Sequence, residues 1–485
     1  MDILLQLVSN LSKEELRFFK LYASRLNDSK DRKDLELLDF IRKSGLEYDE
    51  SKILKLLYGT TGKNAFYRLK NRLTQDLSKS LVLQHFDDEE FNNTLYFISL
   101  SKLFYRRSQF KLSFYFLRKA ERQAKALEFY ELLEIIYGDY IRLSYELLTI
   151  DPAYYIDLRK DNSSQLFNLR QIDDVLSVVS YRLKVTQNFS PKENTVLDLL
   201  EKTISNFAQD EELKKSPIFR IRIYQAVSRI LLQRHDYPNL EIYLLKTYQE
   251  FTSEGLFSKS NHEIKLQMLT YLANTLSKTD QSEKSLQFAE KLRLAMDEFG
   301  RLYYEKYLFF YYNSLVINYF KMDLDKGIDL LEQMGQNDNL KSPFYEQFIY
   351  LNLGIFYFEK GNFRQSARNI TKLYQLPDFA NADVNLQFRV AIAELIVRFE
   401  IQDFEFLERR IDQVKKEFKP QLSEPNFESE TKMVELLRQM TKPGFKKNKK
   451  LMNIVEWFRS NRSELENEEQ LINFNDWINS RFKSN

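Results

Sequence analysis

The chain has 485 residues, and its 72 Lys and Arg nearly balance 70 Asp and Glu, leaving a formal net charge of +2; no overall field draws it to nucleic acid or to an acidic membrane. Eleven Gly and nine Pro are about a third of the usual combined share of roughly 12%, too few for turn-rich β or α/β folds, while 39 Phe and 29 Tyr are too many apolar rings for a disordered chain. The absence of cysteine excludes disulfides, thiolate metal sites and cysteine nucleophiles. Composition therefore points to an all-α protein of long helices with short connections.

The amino terminus, MDILLQLVSNLSKEE, has no basic n-region or cleavage site. The most apolar later stretch, Tyr307 to Phe320, is short and broken by Asn313, Ser314 and Asn318. The expectation is a non-secreted, cytoplasmic protein. Residues 1–91 read as a compact helical domain. Ser12 and Glu15 form a capping-box pattern ahead of Leu16, Phe19, Tyr22, Ala23 and Leu26 at helical spacing. Helices follow over Asp34–Lys43, stopping at Gly45, over Asp49–Tyr58, stopping at Gly59, and from about Thr61 to Gln84, with left-handed caps expected at both glycines.

From residue 92 the pattern becomes one of helix pairs. The clearest unit, FIYLNLGIFYFEKGNFRQSARNITKLYQLP, runs from Phe348 to Pro377. Its Tyr350, Leu353, Gly354, Tyr357, Gly361, Phe363, Ser366, Ile370 and Pro377 resemble a tetratricopeptide repeat, with small Gly354 facing small Ser366 so that two antiparallel helices approach closely. Weaker copies place Ser101 against Ser113, Ala273 against Ser285, and Gly327 where Ser366 sits. Second-helix landmarks at Leu240, Ser285, Gly327, Ser366 and Leu407 recur at intervals longer than the standard repeat of about 34 residues. The best matches lie near 94–127 and 347–380. The expected architecture is a TPR-like α-solenoid over 92–420, preceded by the helix-turn-helix-like domain of 1–91 and closed by a helical cap over 421–485. Residues 151–190 yield no clean unit and read as irregular helix and loop.

Catalytic constellations are scarce. His85, His235 and His262 lack metal-ligand spacing; His262–Glu263 is half of a zinc-protease motif, but position 266 is Leu. Gly59 to Asn64 has the wrong spacing for a phosphate loop, and the acidic runs Asp87–Glu90 and Glu464–Glu469 lack calcium-loop spacing. No catalytic residue, metal site or cofactor is expected. The basic run Lys442–Lys450 carries a single aromatic residue and reads as a charged loop. The Tyr303–Tyr312 aromatic run reads mainly as core filling.

Two binding surfaces remain. The resemblance implies a concave groove lined by first helices, where an Asn holds a ligand backbone through its amide; it places Asn352 there, Asn313 one unit earlier and Arg389 on the next first helix. An amide suits the task because it donates and accepts at once. The other surface is the helix from Thr61, whose Phe66, Leu69, Leu73 and Leu77 form an apolar stripe opposite Asn64, Tyr67, Arg68, Asn71 and Gln75. Lys63, Arg68, Lys70 and Arg72 on it are suited to nucleic-acid contacts. The functional expectation is a non-enzymatic scaffold binding a protein or peptide partner, with a nucleic-acid-binding regulator as the alternative.

Overall fold

The computed structural model describes residues 2–26, 32–45, 48–59, 62–86, 90–185, 215–337, 340, 342–442, 449–461 and 470–482. They form helices and no strand, in two compact units, Met1–Gln233 and Arg234–Asn485.

The first unit opens with α1 (Ile3–Asn10), α2 (Lys13–Leu26), α3 (Lys33–Ser44), α4 (Glu50–Tyr58) and α5 (Lys63–His85). The capping box forms: the Ser12 N–H donates to Glu15 at 2.7 Å and the Glu15 N–H to Ser12 Oγ at 3.1 Å. Phe66, Leu69, Leu73 and Leu77 of α5 are buried against α1, α2 and α3. Gly45 and Gly59 do carry positive φ (51° and 68°), but their ψ of −123° and −154° lies outside the left-handed helical region expected of them. Both sit where only glycine is comfortable. Thr61 lies outside the described residues, and Gly62 precedes the helix instead.

Next come the pair α6 (Glu90–Arg106) and α7 (Phe110–Ala126), then α8 (Tyr130–Leu143), α9 (Pro152–Val185) and α10 (Pro217–Gln233). Residues 152–185 are one 34-residue helix rather than irregular helix and loop. Pro152 sits at its first position, where a missing N–H costs nothing, and Asp151 caps it by accepting from Ala153 N at 2.9 Å. It pairs with α8, stacking Tyr155 on Tyr140 at 4.1 Å between centroids. Residues 186–214, with Pro191, lie outside the described part.

The second unit holds α11 (Tyr237–Ser253) and four antiparallel pairs: α12 (His262–Lys278) with α13 (Ser282–Met296), α14 (Tyr304–Met322) with α15 (Leu324–Gln336), α16 (Pro343–Glu359) with α17 (Phe363–Gln375), and α18 (Val384–Ile401) with α19 (Phe404–Glu417). Three helices finish it, α20 (Glu428–Met440), α21 (Lys449–Ser460) and α22 (Phe474–Arg481).

One register runs through the pairs. Ser113, Leu240, Ser285, Gly327, Ser366 and Leu407 each sit at the fourth residue of their helix, with the N–H donated to the carbonyl of the residue before the helix begins. Ser108, His235, Asp280, Gly361 and Gln402 all have positive φ and precede five of these landmarks by the same interval. Facing small residues touch as the spacing requires, and a hydroxyl seals each contact. Ser101 donates to Ser113 O at 3.0 Å, Ser285 to Ala273 O at 2.6 Å and Ser366 to Gly354 O at 2.7 Å. Gly327 serves another purpose: a Cβ there would stand 2.1 Å from the Phe356 ring, so its smallness admits an aromatic from α16. This chemistry repeats from pair to pair, so the pairs are TPR-like units.

Candidate functional site: asparagines on successive first helices

The first helices of the second unit, α12, α14 and α16, each bury one side and carry a half-buried or exposed stripe beside it. On α12 the stripe is Gln267, Tyr271, Asn274 and Lys278; on α14 it is Phe310, Asn313 and Ile317; on α16 it is Phe348, Asn352 and Ile355. Flanking contacts fix the relative height of these helices. Lys306 pairs with Glu263, and Lys321 donates to Ser277 O at 2.7 Å and Asp280 at 2.8 Å, holding α14 on α12. The Phe309 and Phe348 rings meet edge to face at 5.1 Å, holding α16 on α14.

Asn313 and Asn352 each follow those rings by one helical turn, so they stand at the same level on neighbouring helices. Asn274 continues the row: its Oδ1 lies 3.4 Å from the Ser314 hydroxyl, which itself donates to Phe310 O at 2.9 Å. Asn313 and Asn352 thus stand level on α14 and α16, and Asn274 on α12 meets the residue that follows Asn313. Asn352 spends one N–H on Phe348 O at 2.7 Å, leaving its Oδ1 to accept. Aromatic and aliphatic side chains, Tyr271, Phe310, Ile317 and Phe348, separate the amides. Burial, with the Glu263 carboxylate beside it, pushes the Tyr307 hydroxyl well above its ordinary pKa, so it is neutral and acts as packing. The surface offers hydrogen bonds to peptide groups and apolar contact between them.

Arg389 does not join this row. Its guanidinium lies 3.8 Å from Glu430, a carboxylate with a side chain only 4% exposed, and 6.0 Å from the Phe427 ring, so the cation serves the packing of α18 on α20. Asn274 was missed in the sequence because it stands at a different offset from its second-helix landmark than Asn313 and Asn352 do from theirs.

The amino-terminal candidates divide as well. Lys63, Arg68 and Arg72 are exposed on α5, along with Asn64, Tyr67, Asn71 and Gln75. Asn64, Arg68 and Arg72 border a shallow hollow of about 530 Å³ against Tyr58 at the end of α4. Lys70 instead turns inward, its ammonium 2.5 Å from both Asp2 and Glu50. Burial alone would lower the Lys70 pKa, but those two hydrogen bonds raise it above the ordinary value. It is a structural cation.

Among the described residues no group of three His, Asp or Glu is placed to hold a metal ion, and no helix is long and apolar enough to cross a membrane. His85 pairs with Glu15 at 2.9 Å, His235 lies beside Tyr237, and His262 is buried against Phe299. Residues 87–89, 443–448 and 464–469, which carry most of the acidic and basic runs, lie outside the described part.

No family model matches the chain, and no curated protein matches it. Among solved structures it is similar to the apo form of the quorum sensor NprR from B. thuringiensis, with 14% identity and a TM-score of 0.46 over 68% of this chain and 88% of that one. It is also similar to NprR in complex with its cognate peptide NprX, with 14% identity and a TM-score of 0.40 over 66% of this chain and 88% of that one.

Proposed function

We propose that the chain is a non-enzymatic cytoplasmic adaptor or regulator that binds a peptide, or an extended segment of a protein, across α12, α14 and α16. The observation that carries this reading is the row Asn274, Asn313 and Asn352, whose amides are half-buried and largely unspent within the chain. A peptide laid across the three helices offers each amide a backbone group, while its side chains meet Tyr271, Phe310, Ile317 and Phe348. In this reading residues 92–420 present the partner surface, 421–485 cap it and 1–91 form an output domain. The test is affinity selection from a random peptide pool on the purified chain. Retained sequences that lose binding when the three asparagines become alanine support the reading, and a pool that yields no retained sequence contradicts it.

A second reading rests on α5: the helix next after α4 in the chain exposes a row of Lys63, Asn64, Arg68, Asn71 and Arg72, as in a helix that enters a DNA groove. The counts temper it, since residues 1–86 carry 16 basic against 12 acidic side chains. Duplex DNA retention by the whole chain that weakens with salt, and whose salt slope falls when Arg68 and Arg72 become alanine, would support it. Retention unchanged by those substitutions would refute it.

A further inference from the structure

The row of asparagines stops at α18, and the chain itself supplies the reason. With the interval that carries Ser366 to Leu407, Asn352 maps to Ala393 and Phe348 to Arg389. Both positions are covered by the segment that leads into α22: Gln470, Leu471 and Ile472, with Phe474 at the start of the helix, lie on Arg389, Ala393 and Glu430 with no cavity between them. Leu471 and Ile472 also press on Leu351 and Ile355 of α16 and on Val390 of α18, where the residual cavity is about 10 Å³, scarcely room for one water. The side chain at 393 is a methyl group, small enough to admit the two aliphatic residues.

The segment is firmly held. The Trp477 indole N–H donates to Glu400 at 2.6 Å, Arg481 pairs with the same nearly buried carboxylate, and the Trp477 ring meets Phe399 at 5.7 Å. Asn473 caps α22 by accepting from Asp476 N at 3.0 Å, and Ile478 is fully buried. Leu471 is only half-buried.

We propose that residues 470–474 are a built-in end wall of the peptide groove: they occupy in cis the place on α18 that a ligand would otherwise reach, confining a bound peptide to α12, α14 and α16. Leu471 and Ile472 are then specificity-determining residues, because they set how much peptide the groove accepts. This inference rests on the peptide-binding reading above and goes beyond it by fixing where the ligand ends. Neighbouring packed helices stand about 8–10 Å apart, and an extended chain advances about 3.3 Å per residue. Opening one more helix therefore lengthens the accepted peptide by about three residues.

The experiment uses the full chain and a random dodecapeptide pool. Retained sequences are resynthesised with benzophenone-alanine at either end for photo-crosslinking, and trimmed residue by residue to the shortest form that binds. The end wall requires crosslinks to α12, α14, α16 and residues 470–474, and a shortest peptide about three residues longer for Leu471→Ala/Ile472→Ala. Crosslinks from the unaltered chain to Arg389 or Ala393, or an unchanged shortest length in a folded double variant, overturn it while leaving the groove intact as a site. If the double variant loses its thermal transition, the wild-type crosslink map and the milder Leu471→Ala decide. A pool with no retained peptide overturns the groove reading itself, and the end wall with it.

Discussion

Phe309 and Phe348 meet edge to face with their ring centroids 5.1 Å apart, and each precedes an asparagine by one helical turn. That contact turns two residues which merely share a spacing in the sequence into neighbours on one surface. On α12, Asn274 meets Ser314, the residue after Asn313, and extends the row.

Two glycines inside α15 separate packing from helix propensity. A methyl group at Gly335 would make an ordinary 3.9 Å contact with Ile349, whereas at Gly327 it would fall 2.1 Å from the buried Phe356 ring. Gly335→Ala is expected to stabilise by about 0.5–1 kcal/mol through the unfolded chain. Gly327→Ala is expected to cost about 1–3 kcal/mol through overpacking. Urea unfolding of both variants measures the opposite signs.

His262 gives the second unit an acid sensitivity. Its ring is buried against Phe299, with Glu298 at 3.7 Å and Lys265 nearby. Burial is the largest influence and lowers its pKa below the ordinary 6.5; Glu298 opposes this and Lys265 adds to it. The unfolded chain therefore binds the proton more readily, and the stability held above pH 6.5 is lost as pH falls from 6.5 towards the folded value. His262→Phe keeps a ring beside Phe299 and removes that loss. Thermal melting of both proteins between pH 8 and pH 5 should show the wild type falling more steeply; parallel curves would refute the assignment.

Lys70 is expected to behave as a structural cation. Replacing it by Met leaves Asp2 and Glu50 facing each other without their shared partner, at a cost of about 1–3 kcal/mol at neutral pH. Burial would raise the Asp2 pKa, but its bonds to Lys70 and the α1 N-terminus hold it below 3.8. Stability from that depression is present above pH 3.8 and disappears as pH falls through the folded value. The gap between wild type and Lys70→Met in urea unfolding should therefore close on acidification.

The fold was legible wherever one short pattern carries the physics. A small residue in the fourth position of a second helix marks a close helix approach, and Ser113, Ser285 and Ser366 show it as hydrogen-bonded contacts. The helix α9 was hidden because its apolar residues follow no sustained stripe, and Asp161-Asn162-Ser163-Ser164 imitates a loop. The Asn162 amide in fact donates to Tyr130 O at 3.0 Å, a partner 32 residues away. The pairings of Arg389 and Lys70 were hidden for the same reason: Glu430, Asp2 and Glu50 reach them from distant parts of the sequence, and spacing along one helix cannot reveal such partners.

The most direct test of the groove is the affinity of one selected peptide for the wild type and for Asn274→Ala, Asn313→Ala and Asn352→Ala, singly and together, with thermal melting as the control for folding. Each loss should weaken binding by about 0.5–1.5 kcal/mol, roughly 2- to 12-fold. The triple variant should retain a near-wild-type melting temperature and bind at least about 12-fold more weakly. A folded triple variant that binds with wild-type affinity would contradict the account.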